Sequence, residues 1–262
     1  MEPKDVAAAI RRLREGSLAL LDGLTDAELT IEALPGWSVL DVFRHLATSD
    51  RGSVLGVHLL HFRPGRDFDA FERVNDDLVA EVRDEARGQV RDDLATWGSR
   101  LATITGLVPR PLAKVMIPTA FGRVPLSWMG GLRLYDEWVH QRDVTQALGR
   151  PDPPMDDRLR GLLAEFQLRA LPGGPLRQVD HRDGVVELRF RDVDRTPWRF
   201  DLRRHEFGAF VRAAPTVSVV ADVPSWCLLA GARRSWRELP GIEVTGRDEA
   251  AAAALLDVVR VV

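Results

Sequence analysis

Apolar side chains recur at helical spacing through the first half of the chain. Residues 3–22 place Val6, Ile10, Leu13 and Leu20 on one face of an α-helix. Similar patterns predict further helices from Ser38 to about residue 60, over residues 68–105 with a break near Gly88, and from Ser127 to Gly149. Residues 106–126 are rich in proline and glycine and are predicted to be a connecting loop. Four long helices with one long connection predict a helical bundle.

The predicted helix boundaries carry capping signals. Ser38 suits the N-cap of its helix, and Asp41 stands three residues later in the capping-box position. Trp37, just before the cap, is expected to fold onto Val42 as a hydrophobic staple, and contact with a bound ligand is the alternative. Gly149 fits the position after the last helix, where a left-handed backbone is common. These signals fix where two of the four helices begin or end.

After residue 152 the pattern changes from helical to mixed. Predicted helices cover residues 155–170, 224–231 and 248–259, and predicted strands cover 185–190, 198–202, 216–221 and 242–245. The first two strands alternate apolar and polar residues on either side of a turn-like segment, as a β-hairpin would. The sequence therefore predicts two domains, a helical bundle over residues 1–152 and an α+β domain over residues 153–262.

Composition and charge indicate a globular protein of the cytoplasm. Of the 262 residues, 45% are hydrophobic and 29% are charged, with a formal net charge of −3, which is typical of a full-sized core. The sequence has no basic stripe of the kind that nucleic-acid-binding proteins carry. It also has no apolar segment suited to a signal peptide or a membrane span. The single cysteine, Cys227, excludes an internal disulfide and is expected to be a buried, unreactive thiol. We therefore expect no nucleic-acid partner and no membrane partner.

Two residues on the last helix of the bundle can bind a metal ion together. Asp136 and His140 are four positions apart, so their side chains project from the same face. Glu137 is a competing carboxylate, because a spacing of three also occurs in metal-binding bundles. His45 flanks the apolar face of its helix beside a row of small residues, where it can point between helices. A surface ion pair on the last helix and a tight helix crossing beside His45 are the alternative explanations.

Two motifs make a resemblance specific. The segment GWSVLDVFRHLA at residues 36–47 resembles the G-W-[ST]-x-x-D-x-x-x-H-L-A motif of the mycothiol-dependent maleylpyruvate isomerase family, a branch of the DinB-like metal-binding bundles. The segment DEWVHQRDV at residues 136–144 resembles that family's [ED]-x-x-x-H-x-x-D-[ILV] motif. The hairpin of residues 190–202 resembles part of its C-terminal domain. His58 and His61 match neither motif, and we expect them to be exposed or to pack against neighbours.

The resemblance implies a fold and a set of metal ligands. The implied fold is an N-terminal DinB-like four-helix bundle followed by a smaller α+β domain with a sterol-carrier-like fold. The implied ligands of one divalent ion, zinc in that family, are His45, Asp136 and His140. Many members have glutamate where this chain has Asp136, which is one methylene shorter. Two histidines and one carboxylate leave a coordination position open, as catalytic zinc sites do. Asp143 is expected either to orient His140 through its second ring nitrogen or to be a surface carboxylate.

Two functions remain open at the level of sequence. The resemblance implies a metal-dependent enzyme that uses a small thiol, mycothiol, as co-substrate for isomerisation of, or thiol transfer to, an electrophilic small molecule. The alternative is a non-catalytic metal-binding protein whose C-terminal domain binds an apolar ligand or a partner, since fold alone does not decide function. A DNA-binding role is disfavoured by the dispersed charge. The sequence names neither the substrate nor the residues that would bind the thiol.

Overall fold

Long helices make up most of the first half of the chain in a computed structural model that describes residues 1–57, 68–119, 122–173 and 175–260. The helices are α1 (Pro3–Asp22), α2 (Asp26–Leu29), α3 (Val39–Val54), α4 (Phe68–Glu81), α5 (Arg87–Leu107), α6 (Arg110–Ala113) and α7 (Ser127–Ala147). Helix α1 packs against α5 and α7, and α3 packs against α4, α5 and α7. Helices α1, α3, α5 and α7 therefore form the predicted bundle, and α4 and α5 are separated close to the predicted break at Gly88.

Apolar stripes from several helices meet in the interior of the bundle. One buried cluster includes Leu21 of α1, Phe43 of α3 and Leu94 of α5. Helices α1 and α7 approach closely at Gly130 of α7. A Cβ atom built on this glycine would lie only 2.6 Å from the Cγ1 atom of Val6 in α1. A glycine at this point lets the two backbones come together at a distance that no other residue permits without displacement.

Capping at both predicted boundaries is confirmed. The Ser38 hydroxyl accepts a hydrogen bond from the Asp41 backbone N–H, and the Asp41 carboxylate accepts one from the Ser38 N–H. At the end of α7, Gly149 has a φ of 63°. The N–H groups of Gly149 and Arg150 donate to the carbonyl groups of Gln146 and Thr145, which is a Schellman motif. Helix α3 ends at Val54, before the predicted residue 60. His58 and His61 lie outside the described residues.

Four short strands were not predicted in this half. Strand β1 (Glu32–Leu34) pairs with β2 (Trp37–Ser38) through a turn in which Gly36 has a φ of 78°. Proline followed by glycine suits such a turn, since proline presets one backbone angle and glycine supplies the positive φ. The predicted loop 106–126 was wrong in part, because it contains α6 and the strands β3 (Met116–Thr119) and β4 (Gly122–Pro125). Proline at the start of α6 costs no helical hydrogen bond, so a proline-rich segment can still form this turn.

The second half combines helices with one mixed sheet, as predicted. Its helices are α8 (Asp157–Ala170), α9 (Val223–Ala230) and α10 (Glu249–Leu256), and its strands are β5 (Val185–Phe190), β6 (Trp198–Asp201), β7 (Glu206–Gly208), β8 (Val217–Ala221) and β9 (Ile242–Gly246). The strand order is β7-β6-β5-β8-β9, with β5 and β8 parallel and the other neighbours antiparallel. The β5–β6 hairpin is confirmed, and the three-residue edge strand β7 was not predicted. Cys227 is fully buried in α9, as predicted, and burial raises the pKa of its thiol.

The chain divides into two compact units. Unit 1 comprises Met1–Ala120 and Pro125–Pro154, and unit 2 comprises Phe121–Val124 and Met155–Val262. Helices dominate unit 1, and unit 2 contains the five-stranded sheet. The described helices include none that is long and apolar enough to span a bilayer.

Candidate metal centre

Helices α3 and α7 bring His45, Asp136 and His140 together inside unit 1. One potential ligand atom from each residue lies within 4.8 Å of those of the other two. The Nε2 atom of His45 is 3.4 Å from Asp136 Oδ2, and the Nε2 atom of His140 is 3.4 Å from Asp136 Oδ1. All three side chains are buried. The structure thus places the three sequence-predicted residues at one point, with both imidazoles facing a single carboxylate.

Local sequence signals determine how these side chains are presented. The capping box at Ser38 fixes the start of α3, and His45 follows about two turns later on the side that faces α7. On α7 the four-residue spacing stacks Asp136 one turn before His140. Asp143 is buried, and its Oδ2 atom lies 3.0 Å from His140 Nδ1. Asp143 is therefore not the surface carboxylate of the alternative interpretation, and its contact with the second ring nitrogen leaves Nε2 of His140 facing Asp136.

Burial and neighbouring charges set the protonation of the three groups. Burial alone would raise the pKa of Asp136, but Arg133 and the two imidazoles lower it well below the usual range, so the carboxylate is ionised. Burial lowers the pKa of His45, and the attraction of Asp136 offsets this only in part. Burial would also lower the pKa of His140, but Asp136 and then Asp143 raise it to about 8. In the absence of metal at neutral pH, the His45 ring is therefore neutral, whereas the His140 ring carries a proton on both nitrogens and is positively charged.

The donor set fits a divalent cation. Two imidazole nitrogens and one carboxylate oxygen are ligands that zinc and related first-row metals accept. The Asp136 carboxylate is ionised and can therefore bind a cation directly. The buried Nδ1 atom of His45 has no hydrogen-bond partner among the described residues. The Nε2 atom of His45, which faces Asp136, is therefore the nitrogen that would bind a cation.

Trp37 forms one wall of the site. Its ring centroid lies 5.0 Å from that of His45 and 6.4 Å from that of His140. Its Nε1 atom donates a hydrogen bond to Asp76 Oδ1 at 2.9 Å. Trp37 also packs against the apolar cluster that contains Val42, in keeping with the predicted staple. The Trp37 ring therefore contacts both the apolar cluster at the start of α3 and the two histidines. The predicted staple did not include the contact with the histidines.

Sequence reasoning missed a buried ionic network beside the three residues. Arg133 forms ion pairs with Asp136 and, at 2.9 Å, with Asp50 of α3. Asp50 also pairs with Arg14 of α1 at 2.5 Å, and Arg14 pairs with Glu137 at 2.6 Å. Glu137 further accepts a hydrogen bond from Ser17 and so is engaged with α1 rather than with His140. The position of Arg133 three residues before Asp136 was the only local signal, because the other contacts join distant parts of the chain.

Comparison with known proteins gives a family and a fold. Residues 10–145 match the family model described as the mycothiol maleylpyruvate isomerase N-terminal domain. A crystal structure of the mycothiol-dependent maleylpyruvate isomerase is similar to this chain at a TM-score of 0.51 and 15% sequence identity, covering 94% of this chain and 93% of that one. A histidine-to-alanine mutant of that enzyme gives a TM-score of 0.52 with the same identity and coverage. Comparison with curated proteins gives no match.

Proposed function

The chain belongs to the mycothiol maleylpyruvate isomerase family, and from this premise we propose that it is a metal-dependent enzyme that uses mycothiol as co-substrate. We propose that His45, Asp136 and His140 hold one divalent ion, zinc or a similar metal, with Asp143 orienting His140. The observation that carries the proposal is the convergence of these three donors within the matched region. A small cellular thiol as co-substrate also favours the cytoplasm as the location.

The chemistry follows from the donor set. When bound, a divalent ion would stabilise the deprotonated sulfur of a thiol at neutral pH. The lowered pKa of His45 keeps its ring free of a competing proton, and Asp143 keeps the His140 ring in one orientation. The Trp37 ring shields the histidine pair from water on one side.

Two outcomes at the substrate are open to such a thiolate. Its addition to an unsaturated electrophilic carbon would convert a double bond into a single bond and place the electron pair on the substrate. Rotation and elimination of the same thiolate would then restore the double bond in the other geometry and return the thiol unchanged. If a proton reaches the substrate before elimination, the product keeps the sulfur, and the reaction is a thiol transfer.

Metal content tests the ligand assignment. We expect about one zinc or similar ion per chain in the purified protein, measured by mass spectrometry of the metal. His45→Ala and His140→Ala should each lose most of the ion, and the exposed His181→Ala is the matched control that should keep it. Full metal content in both ligand variants, with native thermal unfolding, would exclude the assignment.

A mycothiol assay tests the activity. The metal-loaded protein is mixed with mycothiol and an unsaturated carboxylic acid, maleylpyruvate first, and followed by absorbance and by titration of free thiol. Isomerisation changes the absorbance at constant free thiol, whereas thiol transfer consumes one thiol for each product formed. A protein that keeps its metal but changes neither signal across a panel of electrophiles would favour the alternative, a non-catalytic metal-binding protein.

A further inference from the structure

The carboxylate of Asp136 is shared with a buried arginine that the proposed function does not use. Arg133 stands one turn before Asp136 on α7, and its Nη1 atom donates to Asp136 Oδ2. Its Nε atom donates to Asp50 Oδ1 at 3.1 Å. Asp50 is 1% exposed, and the Arg133 side chain is 10% exposed. Because water has little access to this pair, its charges act on the histidine site with little screening.

The guanidinium group remains charged whatever binds beside it. Arginine does not lose its proton in proteins, and here it pairs with the carboxylates of Asp136 and Asp50. A divalent ion between the two histidines would therefore meet a permanent positive charge that competes for the same carboxylate. Asp50 moderates that competition, since it draws Arg133 toward α3 and also neutralises Arg14.

We propose that Arg133, held by Asp50, is a positioning residue that fixes the Asp136 carboxylate and weakens its bond to the metal ion. The inference rests on the proposed function. A ligand carboxylate that also binds a guanidinium donates less negative charge to the ion. The ion then keeps more of its positive charge for the sulfur of the thiol. The Arg133–Asp50 pair thus balances metal retention against activation of the thiol.

The proposal predicts changes of opposite sign for the two partners. Arg133→Met removes a positive charge that repels the metal ion in a poorly screened site, and we expect the zinc dissociation constant to fall about tenfold or more. Asp50→Asn leaves the Arg133 charge less compensated, and we expect the dissociation constant to rise by a similar factor. If the two residues only held α3 and α7 together, both changes would weaken zinc binding.

The experiment measures zinc affinity of the full-length protein by competition with a chromophoric chelator at one pH. Arg133→Gln is a second variant that keeps a hydrogen-bond donor without the charge, and it decides the matter if Arg133→Met does not fold. The exposed pair Arg91–Asp22 supplies matched controls, because Arg91→Met and Asp22→Asn make the same changes away from the site and should leave the affinity unchanged. Thermal unfolding of the metal-free variants separates loss of folding from loss of affinity.

The outcomes separate this inference from the function on which it rests. Tighter zinc binding by Arg133→Met or Arg133→Gln together with weaker binding by Asp50→Asn supports the proposal. Equal or weaker binding by the folded Arg133 variants overturns the proposal and leaves the metal site standing. A wild-type protein that binds no divalent ion overturns both.

Discussion

Replacing Asp136 by asparagine tests the carboxylate ligand while keeping the shape of the side chain. The wild-type carboxylate is ionised and buried, and its oxygens lie 3.4 Å from the Nε2 atoms of His45 and His140. Asparagine keeps one oxygen in this place but removes the negative charge. The substitution also removes one of the two carboxylates that pair with Arg133 and leaves Asp50 as the other. The positive charge of Arg133 is then less compensated beside the metal site.

Both effects act against a divalent cation, and their combined magnitude can be bounded. Loss of a carboxylate that accepts a hydrogen bond from a ligand imidazole, as Asp143 does here, costs about 10- to 100-fold in metal affinity. Loss of the charge of the ligand itself should cost at least the upper value, about 2.8 kcal/mol at about 1.4 kcal/mol per factor of ten. We therefore expect Asp136→Asn to bind zinc about 100-fold more weakly or worse. Asp136→Glu keeps the charge and should stay within about tenfold of wild type.

The assay is a chelator competition at a single pH, with Glu137→Gln as the control. Consecutive residues on a helix point about 100° apart, and the Glu137 carboxylate binds Arg14 and Ser17 of α1. Glu137→Gln should change zinc affinity less than about fivefold, although loss of its buried ion pair should lower the unfolding temperature. If Glu137→Gln loses the metal while Asp136→Asn keeps it, the ligand lies three residues before His140 and the assignment fails.

Three further predictions concern pH, packing and domain structure. His140 has a pKa of about 8 without metal, so it must lose a proton when zinc binds. Zinc affinity should therefore fall about tenfold per pH unit from pH 8 to pH 6, as measured by titration at a series of pH values. An affinity that does not change over this range would contradict the assigned protonation of His140. A Cβ on Gly130 would lie 2.6 Å from a side-chain carbon of α1. Gly130→Ala should therefore lower the free energy of unfolding, measured by urea denaturation, by about 1–3 kcal/mol. Gly88→Ala is the control and should not lower it, because a Cβ on Gly88 would meet no atom within 4 Å. Limited proteolysis should cut near residues 150–155, and a fragment of residues 1–152 should stay helical by circular dichroism and bind zinc; an unfolded fragment would place the domain boundary elsewhere.

Much of the local structure was readable from the sequence because its causes are local. The capping box of Ser38 and Asp41 and the Schellman motif at Gly149 involve residues only a few positions apart. The same holds for the spacing of Asp136 and His140, which follows from helical geometry alone. Periodicity also identified the β5–β6 hairpin, whereas the proline-rich segment 106–126 was read as a loop because proline and glycine mark both loops and short turns of structure.

The surroundings of the site were decided by tertiary structure. Arg14, Asp50 and Arg133 come from three different helices, and their charges meet only because α1, α3 and α7 pack together. Trp37 was assigned to a helix start from its neighbours in sequence, yet its ring also lies against His140, about a hundred positions away. The sequence by itself determined the long helices, the caps at Ser38 and Gly149, and which side chains share a face. Which faces meet, and which buried charges must compensate one another, depends on contacts between distant segments, and local patterns carry no information about these pairings.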